Sequence, residues 1–148
     1  MKNIPVIDYA DANKIVYLIV EKALATQKAV VVAVVDPYGE LLAFARMDGA
    51  PISSIRIAMN KAWTAARERK TTKEIGEKVR HPEKGHDIAY YGDERFVGWG
   101  GGIPIWKDGA VAGAIGVSGL SSSEDIELGT LALEQIDIKR SPQSNRDQ

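Results

Sequence analysis

Val30-Val31-Val32-Ala33-Val34-Val35 is halted at Asp36-Pro37-Tyr38-Gly39, and the apolar character resumes as Leu41-Leu42-Ala43-Phe44-Ala45-Arg46-Met47. A short β-branched run bounded by turn residues reads as a strand. Asp, Pro and Gly in the interruption supply the backbone conformations a tight turn needs, so two antiparallel strands joined by a hairpin follow.

On the N-terminal side of this hairpin, Ala12, Ile15, Val16, Ile19, Val20, Ala23 and Leu24 recur at steps of three and four, which predicts one face of a helix. Asp8 or Asp11 is its candidate N-cap. On the C-terminal side, Asp48-Gly49-Ala50-Pro51 ends the second strand. Ser53 or Ser54 then opens a helix carrying Ile55, Ala58, Met59, Ala62, Trp63 and Ala66. Its alanine-rich side predicts a neighbour packed very close. A shorter helix capped by Thr71 or Thr72 runs to about Val79, and residues 80 to 94 show no period.

Phe96-Val97-Gly98-Trp99, Ile103-Pro104-Ile105-Trp106 and Val111 to Val117 read as three more strands, with Lys107-Asp108-Gly109 turning between the last two. Pro104 requires an edge or a bulge. Serines 121 to 123 then cap a final helix through Ile136, and 141–148 is a polar tail. Grouped rather than alternating strands point to an α+β fold with an antiparallel sheet, in one domain over residues 1–140.

The 148 residues fit one domain, and 45% hydrophobic with 26% charged is ordinary globular usage. A formal net charge of −1 builds in no global attraction to nucleic acid or to an anionic membrane. The apolar run at 30–35 is far short of the roughly 20 residues that span a bilayer. Pro5 and Asp8 interrupt the start before a secretory segment develops, so a cytoplasmic location is expected. Without cysteine, thiolate catalysis, disulfides and cysteine-ligated metals are excluded.

Phosphate-loop, zincin and EF-hand spacings are missing, and Leu120 breaks a nucleophile elbow at Ser118. Gly98-Trp99-Gly100-Gly101-Gly102-Ile103 does not complete a dinucleotide fingerprint. Gly100, Gly101 and Gly102 still require a reason: backbone approached closely by a ligand or another chain, or a bulge between strands. Trp99 and Trp106 are either pocket walls or core. His81-Pro82-Glu83-Lys84-Gly85-His86-Asp87 holds both histidines of the chain, which are its strong neutral nitrogen donors for a metal. Tyr90 and Tyr91 add phenolic oxygens.

Residues 56–80 carry eight basic side chains against three acidic, and 121–137 carry five acidic and no basic. Such patches meet within the fold or between subunits, attract carboxylates, or are solvated helix faces.

Residues 33–51 (Ala33-Val34-Val35-Asp36-Pro37 through Arg46-Met47-Asp48-Gly49-Ala50-Pro51), with Asn60-Lys61-Ala62-Trp63-Thr64-Ala65-Ala66, Gly100-Gly101-Gly102-Ile103-Pro104 and Gly113-Ala114-Ile115-Gly116-Val117-Ser118-Gly119, resemble the GlcG/HbpS family of haem-binding or haem-degrading HbpS-like proteins. That family includes the C-terminal domain of PduO. The resemblance implies a profilin-like five-stranded antiparallel sheet with helices on both faces, and a homo-oligomer, dimer or larger. Where the family often carries Gln-Pro-Gly-Gly followed by Leu-Tyr-Gly-Leu, this chain has His81-Pro82-Glu83-Lys84-Gly85-His86-Asp87-Ile88-Ala89-Tyr90-Tyr91-Gly92.

Haem is then the expected cofactor, with His86 or His81 on iron and Arg46 or a basic helix residue on a propionate. Trp99 and the glycine run would form the pocket. The competing expectation is a cofactor-independent lyase or isomerase for a small hydroxy or aromatic acid, with Arg46 or Lys61 on the carboxylate and His86 or Asp87 as acid/base. A module without a ligand is the third.

Overall fold

The structure, a computed structural model, describes residues 1–136; the tail expected at 141–148 lies outside the described residues. The elements are α1 (Tyr9–Ala25), β1 (Val31–Val35), β2 (Leu41–Arg46), α2 (Ser54–Glu68), α3 (Thr72–Val79), a 3-10 turn (Ile88–Tyr91), β3 (Gly102–Lys107), β4 (Ala110–Ser118) and α4 (Ser122–Gln135). The strands form an antiparallel sheet in the order β2-β1-β4-β3, which is an α+β fold.

Alternation along β1 explains why this sheet is covered on both sides. Val30, Val32 and Val34 face a core built with Ile15, Ile19 and Ala23 of α1 and Leu128, Ala132 and Leu133 of α4. Val31, Ala33 and Val35 face Ala58, Ala62, Ala65 and Ala66 of α2. The alanine side of α2 lets it approach the sheet so closely that a Cβ at Gly116 would fall on the Ala58 carbonyl oxygen and 2.7 Å from the Ala62 nitrogen.

Side-chain oxygens close three helix starts. Asp8 accepts from the Asp11 nitrogen at 2.8 Å, Thr71 from Glu74 at 3.1 Å, and Ser121 from Glu124 at 3.2 Å. Asp36 Oδ1 accepts from the Tyr38 and Glu40 nitrogens at 2.8 and 3.0 Å and holds the first hairpin turn. Asp108 (φ 52°) and Gly109 (φ 76°) both occupy the left-handed region in the second, which matches strand twist. Pro104 lies on β3, an edge strand, where its missing N–H leaves no gap in a ladder.

Among the described residues the sheet has four strands, not five. Phe96 to Trp99, expected as a strand, is irregular because side chains from two helices take its polar groups. Thr64 of α2 accepts from the Val97 nitrogen at 3.2 Å and donates to the Arg95 oxygen at 3.0 Å, and Arg80 donates to the Gly98 oxygen at 3.0 Å. Gly98 also presses against Gly76 of α3, where no side chain fits between the two backbones.

Just before this segment, Arg95 forks onto Asp93 with bonds of 3.0 and 2.8 Å, and holds the Asp93 carboxyl down at about 2 from the usual 3.8. A carboxylate whose folded pKa is depressed gives a contribution that is present above 3.8 and lost as pH falls toward about 2. Carboxyl NMR titration is expected to show Asp93 protonating near pH 2, and Arg95→Ala to return it toward 3.8.

Candidate functional site

Lys61 is in the middle of α2, on the same side as Ala58, Ala62 and Ala65. It is 2% exposed and reaches past the end of β4, donating to the Val117 oxygen at 2.9 Å and to Asp125 Oδ2 at 3.2 Å. Asp125, 1% exposed, sits in the first turn of α4, and its other oxygen accepts from the Leu120 nitrogen at 3.2 Å. The pair therefore ties together two helices on opposite faces of the sheet and fixes the connection between β4 and α4. Burial lowers the Lys61 pKa and raises that of Asp125, while the attraction between the two opposes both shifts.

The three glycines are packed against this clamp. Gly101 (φ +128°) allows Lys61 to pass, since a Cβ there would be 2.9 Å from the ammonium. At Gly100 a Cβ would be 2.6 Å from the Ile126 side chain, and at Gly102 2.5 Å from the Lys61 oxygen and from Thr72. Thr72 also accepts the Gly102 N–H at 2.8 Å. The Cβ positions missing at these glycines are thus taken up by the chain's own atoms, while Gly100 and Trp99 also border an open cavity of about 310 Å³.

Lys61, Asp125, Trp99, Ser53, Ser54, Ser118 and Ser122 are among the residues lining a cavity of about 300 Å³. Of the residues singled out in the sequence, this cavity brings together Lys61 and Trp99. Arg46 is exposed at the end of edge strand β2 and does not line it. A second, open groove of about 650 Å³ runs between Tyr38, Arg67, Arg69 and Trp106, so one of the two tryptophans borders each space.

The histidine segment is placed elsewhere, folded back on the end of α3 by the His86 N–H to Val79 oxygen bond of 3.1 Å. The two imidazoles have opposite proton arrangements. His81 Nδ1 accepts from the Glu83 and Lys84 nitrogens at 3.2 and 3.0 Å, so its proton is on Nε2. His86 Nδ1 faces the Asp87 carbonyl at 3.1 Å; a carbonyl only accepts, so this bond puts a proton on Nδ1, and in the neutral ring the lone pair is then on Nε2. Tyr91 meets the His86 ring edge-on at 5.4 Å and stacks on Phe96 at 4.3 Å. Phe96 in turn meets Trp63 at 5.1 Å, and Trp63 lies beneath the Arg95 guanidinium at 4.1 Å. Asp87 caps the 3-10 turn through the Ala89 N–H at 2.9 Å, and Tyr90 is 82% exposed.

Among the described residues no group of three or more His, Asp or Glu is arranged to hold a bare metal ion. No helix among them is long and apolar enough to cross a membrane.

Asp125 and the cavity serines escape a linear reading. Asp125 lies 64 positions from its partner, and its only sequence signal is membership of the acidic stretch at 121–137.

These features define an α+β domain with a buried Lys–Asp clamp and an exposed histidine segment. A family model described as haem degrading protein HbpS-like matches residues 7–134, and the chain belongs to that family. It is 37% identical over 133 residues to an uncharacterized 15.0 kDa protein in the dhaT-dhaS intergenic region of Citrobacter freundii, covering 90% of this chain and 94% of that protein. It is 30% identical to the corrinoid adenosyltransferase PduO of Salmonella typhimurium over 89% of this chain but only 39% of that protein.

Among solved structures, the Klebsiella pneumoniae protein ORFY superposes with a TM-score of 0.87 at 33% identity, covering 93% of this chain and 94% of that one. A PduOC–haem complex superposes with a TM-score of 0.86 at 29% identity, covering 92% and 99%.

Proposed function

We propose that this chain binds haem, with His86 Nε2 as the axial ligand to iron. The observation that carries the choice is the opposite tautomers of the two histidines. Ligation through Nε2 needs the proton on Nδ1, which is how the Asp87 carbonyl holds His86; the same backbone-oriented imidazole recurs at metal sites. At His81 that tautomer would forfeit two backbone bonds.

Tyr91 and Phe96 buttress the ring, and Lys78 and Arg80, beside the Val79 anchor, are the basic helix residues closest in the chain for a propionate. Bound haem supplies a redox-active iron. Family membership and the likeness to a haem-complexed structure support the reading. Neither His86 nor Asp87 lines the cavity that Lys61 borders, and the carboxylate that does, Asp125, is bonded to Lys61, so the lyase or isomerase reading loses the acid/base groups it was given.

His86 is partly buried and lines none of the cavities described above, so a second copy would complete the cover of a haem held there. Leu41 and Phe44, 50% and 37% exposed on edge strand β2, add apolar surface for such an assembly.

Haemin titration tests the assignment. The wild type and His81→Ala are expected to give the same saturable Soret shift, and His86→Ala to bind at least about tenfold more weakly. An unchanged titration in His86→Ala would overturn it. Native mass spectrometry is expected to show dimers or larger assemblies.

A further inference from the structure

The cavity beside the Lys61–Asp125 clamp is separate from the histidine segment, and we infer that it is a binding site for a small monocarboxylate. Its walls contain unused hydrogen-bonding capacity. Ser54 and Ser118 are 4% and 5% exposed and both line it, and neither hydroxyl has a hydrogen-bond partner among the described residues. Neither hydroxyl is sealed inside protein: among the described residues the fully enclosed, partnerless side-chain polar atom is Trp63 Nε1, so these two oxygens open onto the cavity.

The Lys61 ammonium has three N–H groups and spends two, on Val117 and Asp125, which leaves one on the cavity side of the clamp. The 15-residue helix α2 begins at the same place. Its N-cap, Ser53, makes no side-chain cap bond, and its first turn holds no acidic residue.

Charge selects the ligand class. Asp125 balances Lys61 and Glu124 in the first turn offsets the start of α4, so the net field in the cavity comes from the start of α2, worth roughly half a positive charge. That suits one negative charge, spread over two oxygens that accept from the serine hydroxyls and the remaining Lys61 N–H. A dianionic phosphate would face Asp125 with too little compensation. About 300 Å³ admits a compact acid, and the Trp99 indole, also on the lining, covers its carbon skeleton.

Lactate, acetate, benzoate and inorganic phosphate are the probes, followed by fluorescence of the wild-type protein and by amide NMR shifts. At least one monocarboxylate is expected to saturate at millimolar concentration, with the largest shifts at Ser54, Ser118 and Gly119, and to raise Tm by mass action. Ser54→Ala and Ser118→Ala each remove a hydrogen bond to a charged group and are expected to weaken binding about tenfold or more. Trp99→Phe should remove the fluorescence response while NMR still reports binding.

Absence of saturable shifts with all three carboxylates would overturn the proposal. So would tighter binding of phosphate, or shifts centred away from these serines. Wild-type NMR decides the matter even if a serine variant fails to fold, and His86→Ala is expected to bind the carboxylate normally, so failure of the haem assignment leaves this result unaffected.

Discussion

Asp125→Ala is expected to destabilise the protein by about 3–5 kcal/mol, the penalty for stranding one member of a buried ion pair. Without Asp125, the Lys61 ammonium remains 2% exposed with the Val117 carbonyl as its remaining protein acceptor. It cannot swing out to solvent, because it lies in the slot left by Gly101. The Leu120 N–H loses its acceptor at the same time, which loosens the turn into α4.

The double variant Lys61→Met, Asp125→Leu should recover most of the loss, since an apolar pair of similar volume removes both desolvation penalties. Urea unfolding with an unchanged m-value measures both. A loss below about 1 kcal/mol in Asp125→Ala would mean that the cavity hydrates the ammonium freely.

The same variant has a pH signature. Burial lowers the Lys61 pKa below its ordinary 10.5, and removing Asp125 takes away the attraction that opposed the shift. Between the folded pKa and 10.5 the unfolded chain then binds more protons than the folded one, so stability rises with pH in that window. The deficit of Asp125→Ala relative to wild type should therefore narrow as pH rises toward 10.5. A deficit that stayed constant would place its origin in the lost Leu120 bond rather than in the stranded charge.

Local chemistry made much of this fold legible in the sequence. The β-branched run at 30–35, the two hairpin turns and the serine and threonine caps act over a few residues, and each is found where its residue types predict. Phe96 to Trp99 misled because aromatic and β-branched residues fit strands, but Thr64, 31 and 33 positions away, took the Arg95 and Val97 backbone groups. The glycine run showed only that something lies against it; that the something is Lys61 depends on α2 crossing the sheet there. Lys61 reads from the sequence as one of eight basic residues in 56–80 and as a candidate carboxylate anchor, and its partner is on the last helix, on the other side of the sheet. For the histidines, proximity in sequence gave no way to choose between them, whereas backbone geometry fixes a different proton position on each ring.

Gly116→Ala is expected to destabilise by about 3 kcal/mol, at the upper end of the range for overpacking. This glycine lacks positive φ, so the loss arises from space alone. The new methyl would meet the backbone of Ala58 and Ala62, and a helix backbone cannot rotate aside as a side chain can. Relief requires α2 to move off β4, and that movement drags Lys61 from the Val117 oxygen and from Asp125. The variant should therefore also show weakened protection of the amides around Leu120 in hydrogen exchange.

Gly109 provides the contrast, because it has φ +76° and nothing within 4 Å of an added Cβ. Gly109→Ala should destabilise by only about 1 kcal/mol through left-handed strain, and Gly109→Asn by less, since Asn tolerates that conformation. Equal effects of Asn and Ala at 109 would refute left-handed strain there, and a neutral Gly116→Ala would refute the close docking of α2 on the sheet. That docking positions the clamp, the glycine run and the carboxylate cavity together.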